Sequence, residues 1–586
     1  MISFFCFCNY TNLRMINKAF FILISCLCLW FNKSFSQTVD PLIKAKFHQN
    51  APFNLMCPEN SAAGCGAIAI SQILSYYKTL LHGYGSVSYT SGSLNVPVNV
   101  NFDEITFDWE NILPEYVEGE YNSLQANAIA KLVYACGAAM YSDYGKSTGV
   151  NNYAKMLYGL QHYLHFSPES RYLKRAYYST AEWTEMINRQ LRDGHPVFYR
   201  GSWLFNGGNA GHMFIVDGIN DEGLYHVNFG HGGNGNKYVD INVINQSGTY
   251  PGGRPVCYNA TQAMVTNCYP VPDFEDYPKQ VCISEEPIIL NKDSLLNSIK
   301  INCGEKFYLS CRLRNCCDEK TTVKYGWCLV KDGKIEKILT ESTYGLSAGY
   351  TFAEAKHQLV SLPKDIGDGN YQLRLYSKSD FVSEPNFVWD NAPSTVDVEI
   401  DNGIATVSVP DNHLQNPLLY LGKPIEEVGT EFENFAPGRS FLLAIKNSTV
   451  NNFQNTIRLE LVADGETYVY DVVLPVYSQT ETEFHVLVPN DKINLDGKDI
   501  TSVKASYYYA LEDRFIEMGE SIPSSVDETL KASSENGDIR IYTLQGYLIK
   551  IIPASEVADV YGRVLSNLPH GCYIIKEKQK ARKIIL

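Results

Sequence analysis

A chain of 586 residues is too long for one hydrophobic core, so several domains are expected. A hydrophobic content of 45% with 12% aromatic residues excludes a disordered chain. The net charge of −15 supplies no basic footprint for nucleic acid and no attraction to an anionic membrane, so neither is an expected partner.

Residues 19–31 form an uncharged apolar run, with Arg14 and Lys18 before it and Ser34 and Ser36 after it. This pattern predicts a secretory signal peptide over residues 1–36, cut near Ser36 and Gln37, with Met15 as an alternative start. The run is shorter than the ~20 apolar residues of a membrane helix, and no later segment reaches that length. No transmembrane span is therefore expected after signal removal. Residues 23–26 (LISC) loosely match a lipoprotein cleavage site, but the apolar run continues past them. Export permits disulfides. The 16 cysteines are irregularly spaced, and Cys303, Cys311, Cys316, Cys317 and Cys328 cluster. These read as small buried hydrophobes, with one or two disulfides open to them. No zinc spacing occurs, and no metal or other cofactor is expected.

Residues 37–270 mix helix and strand signals, predicting an α+β domain. Apolar residues at helical spacing predict helices over 64–81 and 122–140, and a third over 181–193 that stops at Gly194. A strand starts at Pro196. Residues 213–217 (MFIVD) and 224–229 (LYHVNF) predict two strands joined by the turn-rich 220–223 (NDEG). Residues 269–273 (YPVPD) form a linker, beyond which helix signals nearly vanish.

A repeat then appears at a period of roughly 130 residues. Residues 304–309 (GEKFYL) lead to Asn315, and 438–443 (GRSFLL) lead to Asn447. Asp332-Gly333 and Asp464-Gly465 supply matching hairpin turns. Two β-sandwich, Ig-like domains are expected at 275–400 and 401–525. A polar linker around 526–537 precedes a small C-terminal β unit, the domain 527–586.

Cys65 lies between Gly64 and Gly66 at the start of the first predicted helix. A helix N-terminus stabilises an anion and lowers a nearby thiol pKa, and its free N–H groups can hold an oxyanion. His212 follows Gly211 at the start of a predicted strand. A hairpin turning about Asp221 sets His212 opposite residue 230, with Asn228 two residues along on the same face. The Asn228 oxygen would then orient the imidazole, giving a Cys–His–Asn arrangement. His226, on the same hairpin without a glycine opening, reads as structural.

These residues resemble those of the streptopain-like, papain-fold cysteine peptidases. The resemblance runs in order through 40–49 (DPLIKAKFHQ), 51–58 (APFNLMCP), 64–73 (GCGAIAISQI), 107–109 (FDW), 194–201 (GHPVFYRG), 211–218 (GHMFIVDG) and 225–233 (YHVNFGHGG). It implies that Cys65 is the nucleophile, His212 the general base and acid, and Asn228 the orienter. It places Gly64, Gly211, Phe229, His231 and Arg200 along the substrate wall. Phe229 and His231 replace family tryptophans, 234–236 (NGN) replaces Ser-Asp-Gly, and Arg200 replaces the usual glutamine. His231 would bring a charge that changes near pH 6–7. Family members carry a pro-domain, whereas about a dozen residues separate Gln37 from Gln49. The expectation is a chain that needs no inhibitory mask or is weakly active.

The C-terminal unit resembles the sorting domain of the type IX secretion system of Bacteroidetes. The residues carrying this are 541–546 (IYTLQG), 568–575 (LPHGCYII) and 583–586 (KIIL). It implies the type IX secretion machinery as a partner, and a secreted or surface location on a Gram-negative bacterium. The expected activity is a secreted cysteine endopeptidase acting on proteins or peptides. The competing expectations are a surface binding or adhesion protein with a decayed peptidase domain, or another thiol acyl transfer such as an amidase or transglutaminase.

Overall fold

The computed structural model describes residues 38–519, apart from breaks at 206–207, 243, 247–255, 273–281, 293–295, 318, 380–381, 411–418, 429–436, 450 and 510–513, together with four strands between 539 and 585. The expected signal peptide and lipoprotein-like stretch fall outside the described residues, as does the whole of the 526–537 linker.

The first helix, α1 (Cys65–Tyr77), begins where Gly64 takes a φ of +92°, a conformation that L side chains rarely adopt. It ends at Lys78 in the left-handed region, short of the expected residue 81. Helix α2 (Ser123–Ala139) starts in a capping box of Asn122 with Gln125. Helix α3 (Tyr153–Leu164) was not anticipated. Its interior Gly159 weakens the helix signal, yet a Cβ there would stand 1.8 Å from the Ala139 carbonyl oxygen of α2. Helix α4 (Thr180–Arg192) starts in a second capping box, Ser179 with Glu182.

Strands β1 (Ser86–Ser91) and β2 (Val96–Asn101) form a hairpin. The main sheet contains β3 (Arg171–Lys174), β4 (Val197–Phe205), β5 (Gly208–Ile219), β6 (Tyr225–Asn228), β7 (Lys237–Val239) and β8 (Ala260–Thr266), in the order β3-β8-β4-β5-β6-β7. Every pairing in it is antiparallel. Its two faces build separate cores. Phe198, Met213, Ile215 and Val265 pack with α1, α2 and α3. Tyr199, Phe214, Val216 and Met264 pack with Trp183, Ile187 and Leu191 of α4. Burial of these alternating side chains fixes which face each residue serves.

The remainder is β-rich and built from several sheets. One core gathers Phe307, Val323, Trp327, Leu329 and Leu373, and another gathers Phe441, Leu443, Ile457, Leu461 and Val486. The two repeat asparagines make matching bonds. Asn315 Nδ2 donates to the Glu319 and Leu346 carbonyls at 2.7 and 3.2 Å, and its Oδ1 accepts from Cys317 N. Asn447 Nδ2 donates to the Asn451 and Val476 carbonyls at 2.7 and 3.3 Å, and its Oδ1 accepts from Thr449 N. Asp332-Gly333 and Asp464-Gly465 both take positive φ at both positions, the requirement of a tight hairpin turn. The strands between 539 and 585 form a four-stranded antiparallel sheet.

The β-rich part is docked on the peptidase-like part by polar contacts. Asn452 Nδ2 donates to the Ala176 and Tyr178 carbonyls, both at 2.9 Å. The Arg175 guanidinium lies 4.1 Å from the Tyr477 ring centroid. Lys174 pairs with Glu285 at 2.7 Å. No cysteine whose side chain is described forms a disulfide, so those open to the 303–328 cluster are not formed. Cys311, Cys316, Cys317 and Cys328 are instead buried thiols. Among the described residues no helix is long and apolar enough to cross a membrane.

Candidate active site

Helix α1 points its first turn at β5. Cys65, partly exposed, accepts a bond at Sγ from the Met213 backbone N–H at 3.4 Å. Met213 is the residue after His212, so sheet and helix bring the two sequence-predicted residues to one place. No hydrogen bond joins the thiol to the imidazole in this resting arrangement. His212 is 6% exposed, and its Nε2 lies 2.8 Å from the Phe229 carbonyl oxygen. A carbonyl only accepts, so the proton sits on Nε2 and the lone pair on Nδ1.

The structure does not bring Asn228 to His212. Strands β5 and β6 pair Ile215 with Asn228 and Val216 with Val227, then shift so that Gly218 faces His226. The extra residue is Asp217, fully buried, whose Oδ2 accepts from Ile43 N and whose Oδ1 pairs with His226 Nδ1 at 2.6 Å. Beside the turn the register is two off from that expected for a turn about Asp221, and the bulge takes back one, leaving it one off at Asn228. Asn228 therefore lies opposite Ile215, three residues from His212, and on the other face of the sheet. There its Nδ2 donates to the Ala45 carbonyl at 3.0 Å and to Gln72 Oε1 at 3.3 Å. Its Oδ1 accepts from Gly230 N at 3.1 Å and from Gln72 Nε2 at 3.4 Å. Asn228 thus pins the turn that carries the Phe229 carbonyl, and that carbonyl holds the imidazole.

Phe229, fully buried, lies parallel to the His212 ring at 6.4 Å. His231 is 4.8 Å from that ring and Tyr258 5.2 Å. Sequence reasoning did not single out Tyr258, which arrives from a segment remote in sequence and without a motif, or Gln72, which lies within the 64–73 motif but carried no assigned role. Gly211 sits beside Arg200, whose Nη2 would be 3.3 Å from a Cβ at that position. Gly64 lies under Thr148, where a Cβ would stand 2.9 Å from Cγ2. Past the helix start opens a cavity of about 630 Å³ lined by Lys46, His48, Gln49, Ala62, Lys146 and His231.

Burial governs the electrostatics. It raises the Cys65 thiol above its ordinary range, against the downward pull of the backbone N–H groups of Met213, Gly66 and Cys65 and of the Arg200 charge. The lowering expected from the helix start alone is thus outweighed by desolvation. Burial pushes His212 down to about 4, partly opposed by the Phe229 carbonyl. His231 also falls to about 4, by burial and then by the neighbouring His212 and His48. Its charge therefore does not change near pH 6–7 as expected from its sequence position. The site holds a neutral thiol beside a neutral imidazole with an open lone pair, at a helix start whose first N–H groups lack intrahelical partners.

Residues 47–239 match the family model described as Peptidase C10 family. The chain is 29% identical over 245 residues to streptopain of Streptococcus pyogenes serotype M28 (strain MGAS6180), covering 38% of this chain and 60% of streptopain. It is 26% identical over 241 residues to the thiol protease/hemagglutinin PrtT of Porphyromonas gingivalis, covering 39% of this chain and 26% of that protein. A solved structure, the active wild-type interpain A cysteine protease of Prevotella intermedia, is 31% identical with a TM-score of 0.37, covering 40% of this chain and 96% of that one. The chain thus spans 60% of the length of the streptopain it matches. Through its papain-like domain, to which a β-rich remainder is joined, this chain belongs to the Peptidase C10 family.

Proposed function

We propose that this chain is a secreted cysteine endopeptidase. One observation carries the reading: the Cys65 thiol rests on the backbone of the residue next to His212, whose Nδ1 lone pair is freed by the Phe229 carbonyl. Cys65 Sγ attacks a peptide carbonyl as Nδ1 takes the thiol proton, so charge forms only as the bond forms. The N–H groups of Cys65 and Gly66 hold the developing oxyanion. His212 passes the proton to the leaving amine, then activates water to cleave the thioester. Asn228 is a positioning residue that acts through the Phe229 carbonyl. Arg200, Gly211, Phe229 and His231 shape the substrate wall, and Gly64 sets the helix start.

Export is proposed from the signal-like run at 19–31 and from the sorting-like tail at 527–586. The β-rich part is read as two sandwiches, at 275–400 and 401–525. The test uses the whole exported chain with E-64 and iodoacetamide labelling and casein cleavage. Wild type is expected to be labelled at Cys65 and to cleave. Cys65→Ala and His212→Ala are expected to lose about 10³-fold or more in kcat/KM. Absence of both labelling and cleavage in wild type would sink the reading and favour a binding protein with a decayed site.

A further inference from the structure

Arg200 of β4 stands directly opposite Met213 of β5. Opposed residues share one face of an antiparallel sheet, with Cα atoms about 5 Å apart. That is the face on which α1 sets the Cys65 thiol against Met213 N–H. The Arg200 charge is felt at the thiol, which it draws downward in pKa. The guanidinium has only neutral partners. Nη1 donates to Thr261 O and Oγ1, both at 3.0 Å, and the group lies 5.0 Å from the Tyr153 ring centroid. Among the described residues no carboxylate pairs with it.

Beside Arg200 lies a cavity of about 390 Å³. Its wall is composite: Tyr153 and Tyr172 come from the peptidase domain, Glu285 and Arg314 from the β segment that follows, and Gln454 and Tyr477 from the next. The two tyrosines stack at 4.9 Å and give it an aromatic side. Glu285 is clamped by Lys174 at 2.7 Å and by Arg314 at 2.8 Å, so one carboxylate answers two cations. With no carboxylate on Arg200, the cavity carries a positive surplus, and its lining residue Arg200 is the one whose charge reaches the Cys65 thiol. The guanidinium also bonds the neutral Tyr153 and Tyr172 side chains, and its planar fork is suited to bidentate binding of a carboxylate. Gly211 leaves the space that Nη2 occupies, since a Cβ there would stand 3.3 Å from it.

We propose that this cavity is a specificity subsite that takes an acidic side chain of the polypeptide substrate close to the scissile bond, with Arg200 as the carboxylate's partner and the β-rich part as its outer wall. The proposal rests on the peptidase reading. It gives the docked β segments a role in substrate choice, because Gln454 and Tyr477 complete the cavity only when Asn452 holds their segment against Ala176 and Tyr178.

The experiment profiles cleavage of a mixed peptide library by the whole chain, then measures paired peptides that carry Glu or Gln at the preferred position. Wild type is expected to select acidic residues at one position, with Glu over Gln by about ten- to a hundredfold in kcat/KM. Arg200→Gln is expected to bring that ratio near one, and Arg200→Glu to turn the preference toward Lys. E-64 labelling of Cys65 checks that each variant is folded, and the wild-type profile stands without the variants. Cleavage by wild type with no acidic preference, or an unchanged ratio in Arg200→Gln, overturns the subsite and leaves the peptidase reading intact. No cleavage and no Cys65 labelling overturns the peptidase reading, and the subsite with it.

Discussion

His212 is held neutral by the packing around it and held in one tautomer by a backbone carbonyl. Its pKa falls from 6.5 to about 4 on burial, so between those values the folded state binds fewer protons than the unfolded chain. Stability is then fully present above pH 6.5 and is lost as pH falls toward about 4. The loss from this residue is a few kcal/mol at most. A thermal melt followed across that window should show the melting temperature dropping with acidification, and His212→Gln should flatten the drop. An equally steep drop in His212→Gln would show that the imidazole does not contribute. The same residue displays the limit of local reasoning. Cys65 and His212 could be marked as candidates from the ordered set of motifs around them, whereas the partner of the imidazole depended on a bulge at Asp217 that no residue type announces.

Helix α1 is where an element serves the site most directly. Its first turn can present Cys65 because Gly64 takes a φ of +92° and leaves Thr148 unobstructed. Gly64→Ala meets both the strained backbone and a contact of 2.9 Å to Thr148 Cγ2. The substitution is expected to cost about 1–3 kcal/mol in chemical denaturation and to slow Cys65 alkylation. Unchanged stability and alkylation would mean that the helix start adapts without cost. Capping residues made α2 and α4 legible within a residue or two, since Asn122 with Gln125 and Ser179 with Glu182 satisfy free N–H groups locally. Helix α3 escaped because Gly159 is there for contact with α2, a tertiary requirement that lowers the local helix signal.

In the whole molecule, the β-rich part packs directly against the peptidase domain. Arg175 is completely buried against Tyr477, and Asn452 caps the carbonyls of Ala176 and Tyr178. Such a polar seam fixes orientation, because an unmade bond at a buried group is costly. The tail at 527–586 has a separate task in the proposed export. Deleting 527–586 should leave the protein inside the cell envelope, measured by fractionation and immunoblotting. Continued appearance in the medium would remove the sorting role.

The sequence by itself determined the kinds of structure and marked Cys65 and His212 as the candidate pair. Helical spacing, capping residues and the repeated approaches to Asn315 and Asn447 act locally, so they can be read along the chain. The glycines around Cys65 and before His212 are likewise local requirements for space and backbone freedom. Tertiary structure alone decided the rest. Register across β5 and β6 exchanged Asn228 for the Phe229 carbonyl as the group on the imidazole. Burial outweighed the helix-start effect at the thiol. Three separate segments converged on the cavity beside Arg200. Each of these depends on contacts between residues far apart in sequence, and their energies arise from desolvation and pairing in space.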